Sequence, residues 1–317
     1  MSKNGLPRKP LTKRRLKNLI LNVLKNPFNM VVLVSLIILF CLIIIPLLTM
    51  ISSTFTLAQG ELRRVQGHVG DFTLYYWKYI LTGKLASAVL WGPLKNSFIC
   101  GFFTVLVSVP LGSVLAWLMI RTDLPGKKIL GLLVTVPYMI PSWTKALAWL
   151  AMFRNSTSGA NGFLAGLGIP VPDWLAYGPI AIVLCMSMHY YAFSYIMVSG
   201  ALRSINSELE EMGEIQGASK AQILRHITLP LILPSVLSAT VMTISKSIGT
   251  YGVPANLGNR IGYYTLATKM RTFIDQGPQA VGYAMSIVLV LLAALIIFSN
   301  QRIVGVRKSY ATVSGKG

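Results

Sequence analysis

The sequence predicts an all-α integral membrane protein with six transmembrane helices. Three observations carry that expectation: an apolar composition, six apolar runs of membrane-crossing length, and basic residues gathered at one end of those runs. Of the 317 residues, 54% are hydrophobic and the mean hydropathy is +0.62, far more apolar than an average soluble domain. The runs are Phe28–Ser52, Lys95–Ile120, Lys128–Phe153, Tyr177–Ala201, Leu229–Ser247 and Gln279–Asn300. Each is close to the roughly 20 residues that a helix needs to cross a bilayer core.

The net charge of +20 comes from 29 Lys and Arg against nine Asp and Glu. Its distribution decides what it means. Eight basic residues lie between Lys3 and Lys25 with no acid among them, Arg121, Lys127 and Lys128 flank the second connection, and Arg302, Arg307, Lys308 and Lys316 follow the last run. With both termini cytoplasmic, all three clusters fall on the inner side, as the positive-inside rule requires. The charge therefore sets topology. No basic patch interleaved with aromatic residues accompanies it, so nucleic acid is excluded as a partner.

Taken in order, residues 1–27 form a basic segment in which Leu16, Leu19, Ile20, Val23 and Leu24 recur at helical spacing. That pattern suits an amphipathic helix on anionic lipid. Residues 28–94 hold the first helix and an outer loop, where Tyr75, Tyr76, Trp77 and Tyr79 read as an interfacial aromatic belt. The first run is an anchor and not a cleaved signal, because it is long and lacks a small-residue cleavage site. In the second run Gly101, Ser108, Gly112, Ser113 and Ala116 supply a small-residue face for close helix packing. The third run carries PYMIPSW at 137–143. Its two prolines release backbone carbonyls that need new partners. In the fifth run Ser235, Ser238, Ala239, Thr243, Ser247 and Gly249 form a second small-residue face, expected to meet another subunit. A tail, 302–317, closes the chain. Cys41, Cys100 and Cys185 all fall in apolar runs, at spacings that match no metal or redox pattern.

Between the fourth and fifth runs lies a polar insert, Ser207 to Pro230. Ser207 with Glu210 forms one capping box and Ser219 with Gln222 a second, while Gly217 is placed to stop the first helix. Pro230 sits where the next apolar helix would begin. Four of the nine acids, Glu208, Glu210, Glu211 and Glu214, crowd the first short helix. Such a helix reads as a docking surface.

At these residues the chain resembles the permease subunits of bacterial binding-protein-dependent ABC importers. Glu211, then Gly217 six residues on, then Ile227, Leu229 and Pro230 match that family's signature loop at its spacing. The family's two alanines are Met212 and Gly213 here, and its Asp is Gln216. The resemblance runs from about Leu94 to Ile297, and it implies a type I importer permease fold with a core at 95–301 and a coupling loop at 203–228. It also implies that Glu208, Glu210, Glu211, Met212, Gly213, Glu214, Gly217, Ala218 and Ser219 contact the ATPase subunit. The implied partners are two ATP-binding subunits, which hold the ATP and Mg, a second permease subunit (a related chain rather than a copy), and an extracytoplasmic substrate-binding protein. The stretches 251–258 and 263–270 resemble the ferric-iron, polyamine and phosphonate branch.

The chain carries no phosphate-binding Gly-x-x-x-x-Gly-Lys-Ser/Thr loop and no Gly-x-Ser-x-Gly elbow. It is therefore expected to hold no cofactor and to be no enzyme. Its three histidines are far apart, which offers no metal site. Lys145 and Lys246 are the ionisable residues inside the runs, and an intramembrane charge is a candidate pathway residue. Lys145 is assigned to the pathway, while Lys246, near the outer end of its run, is read as snorkelling. Tyr190, Tyr251 and Asn256 join Lys145 as pathway candidates. No acid lies in any of the six runs, which points to an anionic or anion-chelated substrate. A polyamine permease and an ATP-independent secondary transporter are the alternatives. The second would need coupling carboxylates within the runs.

Overall fold

A computed structural model describes residues 27–61, 65, 67–205 and 208–308, with backbone alone for Glu61, Ser158 and 303–308. The basic N-terminal segment and most of the tail lie outside the described residues. Five helical stretches are long and apolar enough to cross a membrane: Pro27–Ser53, Ser87–Arg121, Asp173–Ser204 (interrupted at Tyr177 and Gly178), Lys220–Gly249 and Gln279–Arg302. No strand occurs among the described residues.

The first helix, α1 (Pro27–Ser53), has no buried residue. A helix that is apolar all round belongs against lipid or other apolar surface, and α1 touches its own chain at the last helix. The short α2 (Tyr75–Leu81) follows. Here Tyr76 departs from the aromatic-belt expectation. Tyr76 and Ile80, one helical turn apart, are fully buried with Leu266, Val281, Ala284 and Met285, and Tyr75, Trp77 and Tyr79 pack around them. The Tyr76 hydroxyl accepts the Ala58 N–H at 3.1 Å. Tyr76 and Ile80, four residues apart, make one face of α2 and anchor the outer loop to protein.

The core consists of α3 (Gly92–Arg121), α6 (Pro179–Ser204) and α9 (Leu229–Gly249). Along α3, Thr104, Ser108, Gly112 and Ala116 are buried at four-residue spacing. Gly112 shows why they are small. A Cβ there would lie 2.4 Å from the Tyr191 carbonyl oxygen and 2.8 Å from the Tyr195 nitrogen of α6. On α9 the matching small residues Ala239, Thr243 and Ser247 are also buried. All three are buried within this chain, and Ser247 lies beside Gly101 of α3, so this part of the small-residue face is not the expected contact with another subunit. Small side chains are used up where the chain's own helices approach most closely.

The third apolar run is two half-length helices, α4 (Lys127–Met139) and α5 (Ser142–Phe153). Pro141 cannot donate an N–H and forces the preceding Ile140 into extended backbone, φ −78 and ψ 130. Prolines act differently at 93 and 230. Each follows a wide π turn, Ser87–Trp91 and Leu224–Thr228, closed by Gly92 N–H to Ser87 O and by Leu229 N–H to Leu224 O. Widening the turn relieves the clash of the proline ring with the preceding turn. The helix from Lys220 therefore continues into α9, and the expected fresh start at Pro230 does not occur.

The polar insert forms α7 (Glu208–Ile215) and α8 (Lys220–Ile223). Beyond α9, α10 (Gly252–Leu257) and α11 (Leu266–Gln276) lead to α12 (Gln279–Lys308). Val253, Pro254 and Leu257 of α10 are buried, with Gly252 against Trp143 of α5.

Candidate functional site: the polar insert and a cation cluster

Helix α7 is built by its caps and by an inward glycine. Its C-terminus closes as a Schellman motif: Ala218 N–H donates to Gly213 O at 3.0 Å and Gly217 N–H to Glu214 O at 2.9 Å. Gly217 takes φ +82, a left-handed backbone that suits glycine. Ser219 then opens α8 with the expected capping box, its N–H donating to Gln222 Oε1 at 2.8 Å and its hydroxyl accepting the Gln222 N–H at 3.4 Å. The Ser207 box lies outside the described residues. Gly213 is buried, and a Cβ there would lie 3.2 Å from Ile223 and from Ile227. The glycine lets α7 lie against the helix that becomes α9.

The four glutamates do not act alike. Glu210 turns inward. Arg121, the last residue of α3, places Nε 2.9 Å from Glu210 Oε2, Thr228 donates its hydroxyl to Glu210 Oε1 at 2.7 Å, and Arg121 Nη2 donates to Leu202 O at 3.1 Å. The pair is mostly buried, 16% and 18% exposed. One carboxylate thus ties α7 to the ends of α3, α6 and α9. Glu208, Glu211 and Glu214 are exposed, and Glu214 faces Lys220 across a cleft of about 330 Å³. Acids in the first turn also suit the positive end of the helix dipole.

The outward face of α7 carries an apolar stripe that the sequence reading missed apart from Met212. Leu209, Met212 and Ile215 are 47%, 56% and 86% exposed. Their three-residue spacing within an acidic helix was the available signal. In the sequence Arg121 stands out only as a topological charge, and nothing marks Thr228.

The break between α4 and α5 organises the second group. The Lys145 ammonium donates to Pro137 O, to Ile140 O at 3.0 Å and to His189 Nδ1 at 2.5 Å. These are the carbonyls released by the break, and Lys145 satisfies them. The lysine also edges a cleft of about 410 Å³ whose wall is otherwise mainly apolar. His189 stacks on Tyr138 with centroids 5.2 Å apart. Lys246, expected to snorkel, instead donates to the Tyr138 hydroxyl at 3.1 Å and lies 4.7 Å from the Phe193 ring centroid.

The remaining candidates are scattered. Tyr190 is buried in the core, its hydroxyl 2.7 Å from Thr250 Oγ1. Tyr251 is exposed at the start of α10, and Asn256 turns back to donate to Gly252 O at 2.7 Å. Neither joins the lysine cluster. Of the cysteines, Cys100 and Cys185 are buried and Cys41 is exposed.

Apolar helices bundled around a small-residue core, with a capped acidic helix at one end, define a membrane permease. The chain belongs to the family of the binding-protein-dependent transport system inner membrane component, whose pattern matches residues 108–309. It is a permease subunit of a type I ABC importer, a multi-pass inner-membrane protein and not itself an enzyme. A "Probable sulfate transport system permease protein cysT" of Marchantia polymorpha is 27% identical over 180 residues, 56% of this chain and 59% of that one, so the chain spans under two thirds of that relative. A "Putative 2-aminoethylphosphonate transport system permease protein PhnV" of Salmonella typhimurium is 28% identical over 232 residues, 73% of this chain and 80% of that one. In fold, the chain is similar to a chain of a bacterial ABC transporter involved in the import of the acidic polysaccharide alginate. That match has a TM-score of 0.66 at 18% identity and covers 90% of this chain and 98% of that one.

Proposed function

We propose that this permease subunit couples ATP hydrolysis in two partner subunits to the passage of a small anion delivered by a substrate-binding protein. The observation that carries the coupling is the two-faced helix α7, with Glu210 clasped inward and Leu209, Met212 and Ile215 presented outward. An exposed apolar stripe ringed by carboxylates suits a groove on a second protein, with the apolar residues giving affinity and Glu208 and Glu211 giving orientation. The ATPase subunits bind the ATP and Mg. Closing them on ATP moves α7, and the Arg121–Glu210–Thr228 clasp carries that movement to the ends of α3, α6 and α9. Gly217, Ala218 and Ser219 set the angle between the two short helices. In this reading the coupling end and both termini are cytoplasmic.

The substrate reading rests on charge. Lys145 and Lys246 are cations within the helices, and no carboxylate lies in any of them from α3 to α6, or in α9 and α12. A cationic solute would meet no compensating carboxylate in these helices. The sulfate and aminoethylphosphonate permeases named above are in accord with an oxyanion. One chain does not close a pore, so a second permease subunit, related rather than identical, completes it.

The test is co-purification of the ATPase subunit with Leu209→Asp/Ile215→Asp and with Glu211→Lys. The double variant is expected to reach the membrane and lose the ATPase subunit. Full retention by both variants would overturn the docking face.

A further inference from the structure

Lys145 and Lys246 differ in how their protons are used. An ammonium group has three N–H donors, and those of Lys145 are matched by Pro137 O, Ile140 O and His189 Nδ1. Lys246 has one hydrogen-bond acceptor among the described residues, the Tyr138 oxygen. Two of its N–H groups remain available. Because that phenolic oxygen accepts from Lys246, the Tyr138 proton can be donated elsewhere.

The surroundings suit an incoming anion. None of the nine acids lies in α4, α5, α6 or α9, the helices that meet here, and the Lys246 side chain is exposed. A bare ammonium facing hydrocarbon is costly, and a lysine near a helix end normally escapes by reaching for the nearer interface. Here the Lys246 ammonium donates to the Tyr138 hydroxyl of α4 at 3.1 Å. The Phe193 ring supports the cation on one side, and His189, held by Lys145, stacks on the Tyr138 ring.

We infer that Lys246 and Tyr138 form the intramembrane contact of this subunit for a small tetrahedral oxyanion, with Lys145 and His189 as positioning residues for the Tyr138 ring. The oxyanion meets two ammonium protons and one phenolic proton, and it meets no competing carboxylate. The inference rests on the anion reading above and reverses the roles expected of the two lysines.

The test uses the assembled importer in proteoliposomes, with sulfate and 2-aminoethylphosphonate as the probes, measuring uptake and binding-protein-stimulated ATP hydrolysis. Lys246→Met is expected to slow uptake by about tenfold or more, the scale of one lost charge-assisted contact, while stimulated hydrolysis stays within about twofold. Lys246→Arg, which keeps the charge, is expected to retain roughly a third or more of the uptake, and Tyr138→Phe to lose about three- to tenfold. If the wild type carries either oxyanion and Lys246→Met carries it equally well, the site is wrong and the anion reading survives. If the wild type carries neither, both fall. Loss of stimulated hydrolysis in Lys246→Met would also overturn the site, because the residue would then serve assembly.

Discussion

Arg121 Nε lies 2.9 Å from Glu210 Oε2, and the same carboxylate accepts the Thr228 hydroxyl at 2.7 Å. This joins the last residue of α3 to α7 and to the turn that feeds α9. A carboxylate with a guanidinium on one side and a hydroxyl on the other is well satisfied although it is mostly buried.

Removing one member of that pair leaves the other charge partly buried and unpaired. Glu210→Ala and Arg121→Met should each lower stability by about 1–3 kcal/mol, less than for a fully buried pair because some solvent reaches it. The double variant should cost less than the sum of the two. Thermal unfolding in detergent, arranged as a double-mutant cycle, checks this.

Gly213 offers a graded test of how closely α7 is seated. A Cβ would stand 3.2 Å from Ile223 Cγ1 and from Ile227 Cδ1, side-chain atoms that can yield by a few tenths of an ångström. Gly213→Ala should therefore be neutral or stabilising by up to about 1 kcal/mol, the helix-propensity gain. Gly213→Leu cannot fit and should lift α7 away, seen as faster proteolysis of the 203–228 loop in the purified protein.

Gly112 has no such latitude. Its neighbours are α6 backbone atoms at 2.4 and 2.8 Å from the position of a Cβ, so Gly112→Ala must separate α3 from α6. A loss of about 2 kcal/mol or more is expected, read as a lower unfolding midpoint and a poor yield of folded protein.

The two lysines should separate by stability. Lys145→Met strands the Pro137 and Ile140 carbonyls within the membrane region and should cost about 2–4 kcal/mol. Lys246→Met removes a single hydrogen bond from an exposed side chain and should cost under about 1 kcal/mol. Unfolding midpoints of the two variants, measured side by side in one detergent, check the contrast.

Where a feature depends on neighbours in sequence, it was readable in advance. The apolar runs follow from composition, and Gly217 and the Ser219–Gln222 box follow from residues within four positions of each other. The inward turn of Glu210 was not readable, because its partner Arg121 is 89 residues away and four glutamates in one helix look alike. The lysines were ranked by depth along their runs. Depth does not show that the broken helix supplies Lys145 with two carbonyls, or that His189, 44 residues away, supplies the third acceptor. The buried rings of α2 belong to the same class, since an aromatic cluster beside an apolar run fits a membrane interface and a protein core equally well.

The central claim is that α7 moves the spans through the Glu210 clasp, and the most direct measurement is solute imported per ATP hydrolysed by the reconstituted importer carrying Glu210→Ala. The account predicts that the ATPase subunits stay bound and stimulated hydrolysis persists within about twofold, while uptake per ATP drops by roughly fivefold or more. An unchanged ratio of uptake to hydrolysis would contradict it, showing that the clasp holds the loop in place without carrying its motion.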